Sequence, residues 1–276
     1  MKIAVAGLGL IGGSLAKGFS ALDGVTVFGY DIDRGTVMRS LLVEAIDGEL
    51  TEDAIGECDY IFIALYPEAV TEFLTRFAEK ISKTAVVVDC AGTKRAVCEQ
   101  CFTIAEQYGF RFIGGHPMAG TQFSGFKYSR ASLFDKASMI LVPHKDEKIE
   151  VLEALKKLLV SIGFKSVTIT SAEEHDTIIA YTSQLAHVVS NAYVKSPNAK
   201  VHKGFSAGSY RDLTRVAKLN SHMWTELFLE NADNLSFEID LLIDHLRQYS
   251  DAIKGKNREE LFSLLEEGTK IKESVD

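Results

Sequence analysis

Proline and cysteine are scarce: four of each in 276 residues, with a single tryptophan. So little proline excludes collagen-like and proline-rich chains. Cys58, Cys90, Cys98 and Cys101 are too few for a disulfide framework at this length, and free thiols are the expected state. Cys98 and Cys101 have metal-ligand spacing, but no second Cys or His pair completes a tetrahedral site. No apolar run reaches the roughly 18–20 residues a membrane helix needs. The N-terminal Met1–Gly7 leads straight into a strand-like run without a cleavage-site pattern, so the expected compartment is the cytoplasm. Positive charge is also short, with a net charge of −8. That argues against a nucleic-acid or membrane partner, while a local basic pocket is still allowed.

What is present is ordinary globular usage. Apolar residues at 46% and charged residues at 25% give ample core and exclude disorder. Two patterns divide the chain into residues 1–169 and 170–276. In the first, short β-branched runs alternate with helical stretches: Lys2–Ala6, Val25–Tyr30, Tyr60–Ala64, Ala85–Asp89, Arg111–Ile113, Met139–Val142 and Ser166–Ile169. Near-continuous apolar strands separated by helices such as Pro67–Ile81 predict a doubly wound α/β domain on a parallel sheet. After Ile169 the strand signal stops. Ser171-Ala172-Glu173-Glu174 reads as a capping box opening a helix to about Lys195. Helices are then predicted over about Tyr210–Leu219, from Met223 to Arg247 and beyond, and over Arg258–Ile271. Phe228, Leu235, Ile239, Leu242 and Leu246 form an apolar stripe that wants a partner within the chain or across a dimer.

Gly7-Leu8-Gly9-Leu10-Ile11-Gly12 follows the first strand and opens the first helix, the context that gives a glycine fingerprint its meaning. Gly7 serves the tight turn, Gly9 the close approach of a pyrophosphate and Gly12 the packing of helix on strand. Free amides around Leu10 and Ile11 at the helix N-terminus attract the anion. Asp31 ends the second strand, nineteen residues past Gly12, where a carboxylate binds ribose hydroxyls. This favours NAD over NADP, with nearby Arg34 pulling the other way.

Three further groups carry chemistry. His116, in Gly114–Thr121, sits at the carboxyl end of a strand, where it reads either as a proton acceptor or as a loop histidine bonded to backbone. Ser183 and His187 are one helical turn apart. Arg211 and Arg215 are similarly spaced and suit bidentate carboxylate recognition, or a solvated surface. Trp224 reads as core or as cleft.

Taken together, Gly7–Ser14, His116-Pro117-Met118-Ala119-Gly120-Thr121, Ser183–His187, Arg211–Ala217 and Met223-Trp224 resemble the prephenate dehydrogenase family, in its order and over nearly the whole chain. The histidine motif joined to the arginine helix is the specific part. The resemblance implies an NAD-binding Rossmann domain, then an all-helical domain that binds substrate and makes a homodimer. It implies oxidative decarboxylation of prephenate to 4-hydroxyphenylpyruvate, in tyrosine biosynthesis, without a metal. His116 matches the catalytic histidine and Arg215 the carboxylate clamp. His187, Ser183 and Trp224 match residues lining the site. Prephenate is a dianion, so Arg215, Arg211 and Lys94 are candidates for the local positive cluster, with Thr121 beside the histidine.

The sequence departs from the pattern in places. Gly92 falls where some members carry a serine, so Thr93 either replaces that hydroxyl, is a helix cap, or leaves the role unfilled. Gln122 stands where some members have glutamate. No regulatory domain of the kind some members append is expected after Asp276. Arogenate dehydrogenase is the nearest alternative. A β-hydroxyacid or imine-reducing enzyme would normally bring a catalytic lysine, and Lys195 and Lys218 sit in no convincing motif. A cofactor-sensing protein without catalysis is the non-enzyme alternative.

Overall fold

The computed structural model describes residues 1–121 and 123–275. Eight strands form one sheet: β1 (Lys2–Ala6), β2 (Thr26–Tyr30), β3 (Gly48–Glu49), β4 (Tyr60–Ile63), β5 (Val86–Asp89), β6 (Arg111–Pro117), β7 (Ser138–Pro143) and β8 (Ser166–Ile169). Their order is β3-β2-β1-β4-β5-β6-β7-β8, so the direction of winding reverses between β1 and β4. Helices α1 (Leu10–Ser20), α2 (Arg34–Leu42), α3 (Glu52–Ile55), α4 (Pro67–Phe77), α5 (Arg95–Tyr108) and α6 (Ile149–Ser161) connect the strands.

The two-residue period of a strand sends alternate side chains to opposite faces. In β1, Ile3 and Val5 join a core with Leu15, Phe19, Leu155 and Leu159. Ala4 and Ala6 join another with Phe73, Leu74, Phe77 and Cys101. Both faces are therefore dry, which is why these strands read as continuous apolar runs. This half is the expected doubly wound Rossmann-type architecture.

Two details differ from the sequence reading. The sheet is not parallel throughout, because β6 pairs with β7 antiparallel from Ile113↔Pro143 to Pro117↔Met139. β6 also runs on through Gly114 and Gly115 to Pro117, four residues further than expected. Those glycines serve close packing and not a turn. A Cβ on Gly115 would come within 2.4 Å of the Asp89 carbonyl oxygen, and one on Gly114 within 2.5 Å of Cys98 Sγ.

After β8 the chain is helical: α7 (Ala172–Ile179), a π-helical turn (Ala180–Leu185), α8 (Ala186–Tyr193), α9 (Gly208–Thr214), α10 (Ser221–Glu230), α11 (Ala232–Lys254) and α12 (Arg258–Val275). The Ser171 hydroxyl accepts from the Glu174 amide at 3.1 Å, so the N-cap half of the expected capping box forms, while the Glu174 carboxylate accepts from the Thr170 hydroxyl instead of the Ser171 amide. The long helix expected from Met223 breaks at Asn231, which is fully buried. Its amide is spent on the Asp176 carbonyl at 2.7 Å and on Gln184 Oε1 at 2.8 Å. α9 stops at Thr214, short of the expected Leu219. Leu235 is buried, but Phe237, Leu241, Leu246, Phe262, Leu265 and Ile271 leave α11 and α12 with an exposed apolar face. Among the described residues, no helix is long and apolar enough to cross a membrane.

Candidate active site

The glycine loop lies at the reversal of strand order, where open α/β sheets leave a crevice. Gly7 has φ +84°, and a Cβ there would strike the Ala64 carbonyl oxygen at 2.4 Å. A Cβ on Gly12 would lie 1.8 Å from the Gly7 carbonyl oxygen, so α1 can start this close to its loop only with glycine. Gly9 is different, with no atom within 4 Å of its Cβ position. It faces open space, and α1 has no side-chain cap, which leaves the amides of its first turn, at Leu10 and Ile11, for an anion.

Asp31 is held at the mouth of this loop. Its Oδ2 accepts from the Leu8 amide and its Oδ1 from the Asp33 amide, both at 2.8 Å. Each oxygen keeps lone-pair capacity for a ribose hydroxyl. Arg34 Nη1 is taken by Glu49, at 3.2 and 3.3 Å from its two oxygens. An open glycine amide, an uncapped helix and an oriented carboxylate fit a dinucleotide.

At the carboxyl ends of β5 and β6 a buried polar cluster forms. Asp89 accepts from the amides of Gly115 at 3.0 Å and Ala91 at 2.8 Å, and from the Lys94 ammonium. Lys94 is fully buried. Burial works against its charge, but Asp89 outweighs this and raises its pKa. The lysine expected to attract substrate is instead consumed in tying the loop after β5 to β6.

His116, partly buried near the end of β6, places Nδ1 2.9 Å from His175 Nε2. His175 Nδ1 lies 2.7 Å from Asp176 Oδ1. Asp176 also accepts from the amides of Lys94 at 2.8 Å and Arg95 at 2.9 Å. Burial pushes its pKa up, but the bonds from His175, Arg95 and Lys94 more than offset this and hold it below the usual value. An ionised Asp176 fixes the proton of His175 on Nδ1, so His175 Nε2 accepts from His116 Nδ1–H. Nε2 of His116 is then its uncommitted nitrogen and carries a lone pair. Burial, then the neighbouring His175 and Lys94, push the His116 pKa well below 6.5, so the ring is neutral.

A second group lines the run from α7 to α8. Ser183 falls in the π-helical turn, a feature that often marks functional sites. Its carbonyl accepts from His187 Nδ1 at 2.8 Å. The Trp224 ring lies over His187 with centroids 4.0 Å apart. Burial lowers the His187 pKa, and the charge of Arg215 adds to this. Asn191 Nδ2 donates to the Ala217 carbonyl at 3.0 Å, anchoring the turn that follows Arg215. Arg211 and Arg215 are exposed. Thr121 is exposed, its hydroxyl 3.2 Å from the Phe123 carbonyl, and Gln122 lies outside the described residues.

Thr93 is not the helix cap, a position that falls to Lys94; its hydroxyl donates to Glu230. Burial, with help from Glu226 and Asp176, raises the Glu230 pKa. No hydrogen bond or ring contact among the described residues joins the His116 group to the His187 group directly; the α7–α8 run connects them. Sequence reasoning missed His175, Asp176, Glu230 and Asn231. His175-Asp176 directly follows the capping box, but their partner His116 is 59 residues away, and no local spacing reveals that.

Both halves of the chain are similar to known proteins. The family described as prephenate dehydrogenase, nucleotide-binding domain, matches residues 18–168, and the one described as prephenate dehydrogenase, dimerization domain, matches residues 171–267. A prephenate dehydrogenase of Lactococcus lactis is 30% identical over 285 residues, covering 100% of this chain and 77% of that protein. The crystal structure of prephenate dehydrogenase from A. aeolicus with hydroxyphenyl propionate and NAD+ aligns with TM-score 0.86 at 28% identity, covering 100% of this chain and 98% of that one. Synechocystis arogenate dehydrogenase aligns with TM-score 0.83 at 27% identity, covering 100% of both chains. With both halves matched in order, the chain belongs to the prephenate dehydrogenase family.

Proposed function

We propose that this chain is an NAD-dependent dehydrogenase that converts prephenate to 4-hydroxyphenylpyruvate and carbon dioxide, a step of tyrosine biosynthesis. The carrying observation is the Asp176–His175–His116 chain, which leaves one lone pair of a neutral imidazole near the carboxyl end of β6. NAD, when bound, supplies the hydride acceptor. The ring hydroxyl of prephenate donates to His116 Nε2. As hydride leaves the carbon bearing that hydroxyl, its proton passes to Nε2, and Asp176, through His175, stabilises the cation that forms. The bond to the ring carboxylate then breaks, carbon dioxide departs, the bonding pair aromatises the ring, and the former keto oxygen takes the proton back from His116 Nε2 to become the phenol.

Arg215 clamps a carboxylate of the dianion, with Arg211 adding positive charge at the rim. His187, Ser183 and Trp224 form one wall of the substrate site, and Thr121 extends it from the loop after β6; Gln122 is assigned to substrate on the family resemblance alone. Thr93, in the loop after β5, brings a hydroxyl to this region through its bond to Glu230. Gly7, Gly9, Leu10, Ile11 and Gly12 hold the pyrophosphate, and Asp31 the adenosine ribose.

A second reading has a specific observation behind it. Glu230, half-buried at the end of α10 and bonded to Thr93, with Glu226 nearby, is an acid of the kind that pairs with an ammonium. That favours arogenate, the amino analogue. NADH formation measured with prephenate and arogenate, each with NAD and with NADP, separates the two. Turnover with neither substrate, from folded protein, would sink both.

The working unit in this reading is a homodimer formed through the exposed apolar face of α11 and α12. The joint between β8 and α7 divides the chain into residues 1–169 and 170–276. The free thiols Cys58, Cys90, Cys98 and Cys101 fit a reducing, cytoplasmic setting.

A further inference from the structure

We infer that Glu49 sets the preference for NAD over NADP by holding Arg34 away from the ribose 2′ position; this rests on the dinucleotide reading of the glycine loop. Beyond Asp31 the chain turns into α2, and two arginines stand in that turn. Arg39 is committed to structure: its Nη2 donates to Asp33 Oδ2 at 3.0 Å and to Thr36 Oγ1 at 2.9 Å. Asp33 in turn caps α2, accepting from the amides of Gly35 at 3.0 Å and Thr36 at 3.1 Å. Arg39 is thus tied to the residue that caps its own helix.

Arg34 is held more loosely. Its only side-chain partner among the described residues is Glu49, and the two side chains are 75% and 43% exposed. Glu49 belongs to β3, the two-residue strand at the sheet edge, and its carboxylate makes no other bond among the described residues. The corner thus carries three carboxylates, Asp31, Asp33 and Glu49, against two paired guanidinium groups. A 2′-phosphate arriving here meets net negative charge and no available cation.

Removing the Glu49 carboxylate changes both conditions at once. It takes away one negative charge and frees a guanidinium three residues from Asp31, a group suited to bidentate phosphate recognition. Arg34 is thus a latent 2′-phosphate ligand, and Glu49 is the specificity position that silences it. Glu49 touches no cofactor atom and acts through Arg34.

The test is calorimetric binding of NAD and of NADP, which needs no turnover, to the unsubstituted protein, Glu49→Ala, Glu49→Gln and the Glu49→Ala/Arg34→Ala double variant. NADP affinity should rise about tenfold in both single variants, the scale of one charge-assisted hydrogen bond. NAD affinity should stay within about twofold. The gain should vanish in the double variant and shrink with added salt. NAD binding with NADP affinity indifferent to Glu49, or a gain that survives loss of Arg34, overturns this inference alone. No NAD binding by the unsubstituted protein overturns the dinucleotide reading and this inference with it.

Discussion

His116 Nδ1 lies 2.9 Å from His175 Nε2, and this contact decides which nitrogen of His116 is free. Because Asp176 holds the proton of His175 on its far nitrogen, His175 can only accept from a neutral His116. The base is therefore oriented by a chain running back through Asp176 to the amides of Lys94 and Arg95 at the start of α5.

Replacement of His116 by Asn keeps a hydrogen-bonding group and removes the proton acceptor. Turnover should fall by roughly 10²–10⁴ while the Michaelis constant for prephenate changes little. Steady-state kinetics with saturating NAD reads this, and turnover like that of the unsubstituted protein would remove His116 from the mechanism.

Asp176→Asn tests orientation without touching substrate. An amide in place of the carboxylate no longer fixes the His175 tautomer. We expect kcat to fall by about tenfold or more, at nearly constant KM, with the acid limb of the pH profile displaced. Since Asp176 also accepts two backbone amides of α5, thermal unfolding should be followed in parallel. A loss of stability with an unmoved pH profile would leave Asp176 only a structural role.

The histidines also predict a pH dependence of stability. Burial is the leading cause that lowers the pKa values of His116, His175 and His187. Above the ordinary value of 6.5, folded and unfolded chains both carry neutral rings. Below it the unfolded chain takes up protons that the folded chain refuses. Stability must then fall with acid, by at most about 1.4 kcal/mol per pH unit for each such ring. Denaturant unfolding at pH 7.5 and 5.5, values chosen to lie about a unit either side of 6.5, should show the lower midpoint in acid; an unchanged midpoint would contradict it. By the same sign, the acid limb of kcat/KM belongs below 6.5.

Arg215→Ala should raise KM for prephenate by about tenfold or more with a smaller effect on kcat, because the clamp acts on ground state and transition state alike. An unchanged KM would move the clamp elsewhere, with exposed Arg211 the next group to substitute.

Much of this was legible before any coordinates. The glycine loop, the strand-end position of Asp31 and the N-cap at Ser171 are signalled by residues within a few positions, and they sit where the pattern put them. Where the reading slipped, a distant partner had altered the meaning of a local signal. Gly114 and Gly115 read as lying past the end of a strand, but they are strand residues thinned to admit Asp89 and Cys98. Asn231 stands in a helical run, but its bonds to Asp176 and Gln184 interrupt it. Lys94 looks like a free cation until Asp89 buries with it.

The sequence by itself determined the architecture and the chemical repertoire: strand and helix periods, a phosphate-binding turn, an imidazole at a strand end and arginines for a dianion. Periodicity and turn chemistry are local, so they survive without coordinates. Only the tertiary structure decided which groups are spent and which are left to act. It spent Lys94 on Asp89 and Arg34 on Glu49, and it freed one nitrogen of His116 through a histidine 59 residues away. Protonation and availability depend on burial and on partners that arrive from other elements, and those distances are set by packing.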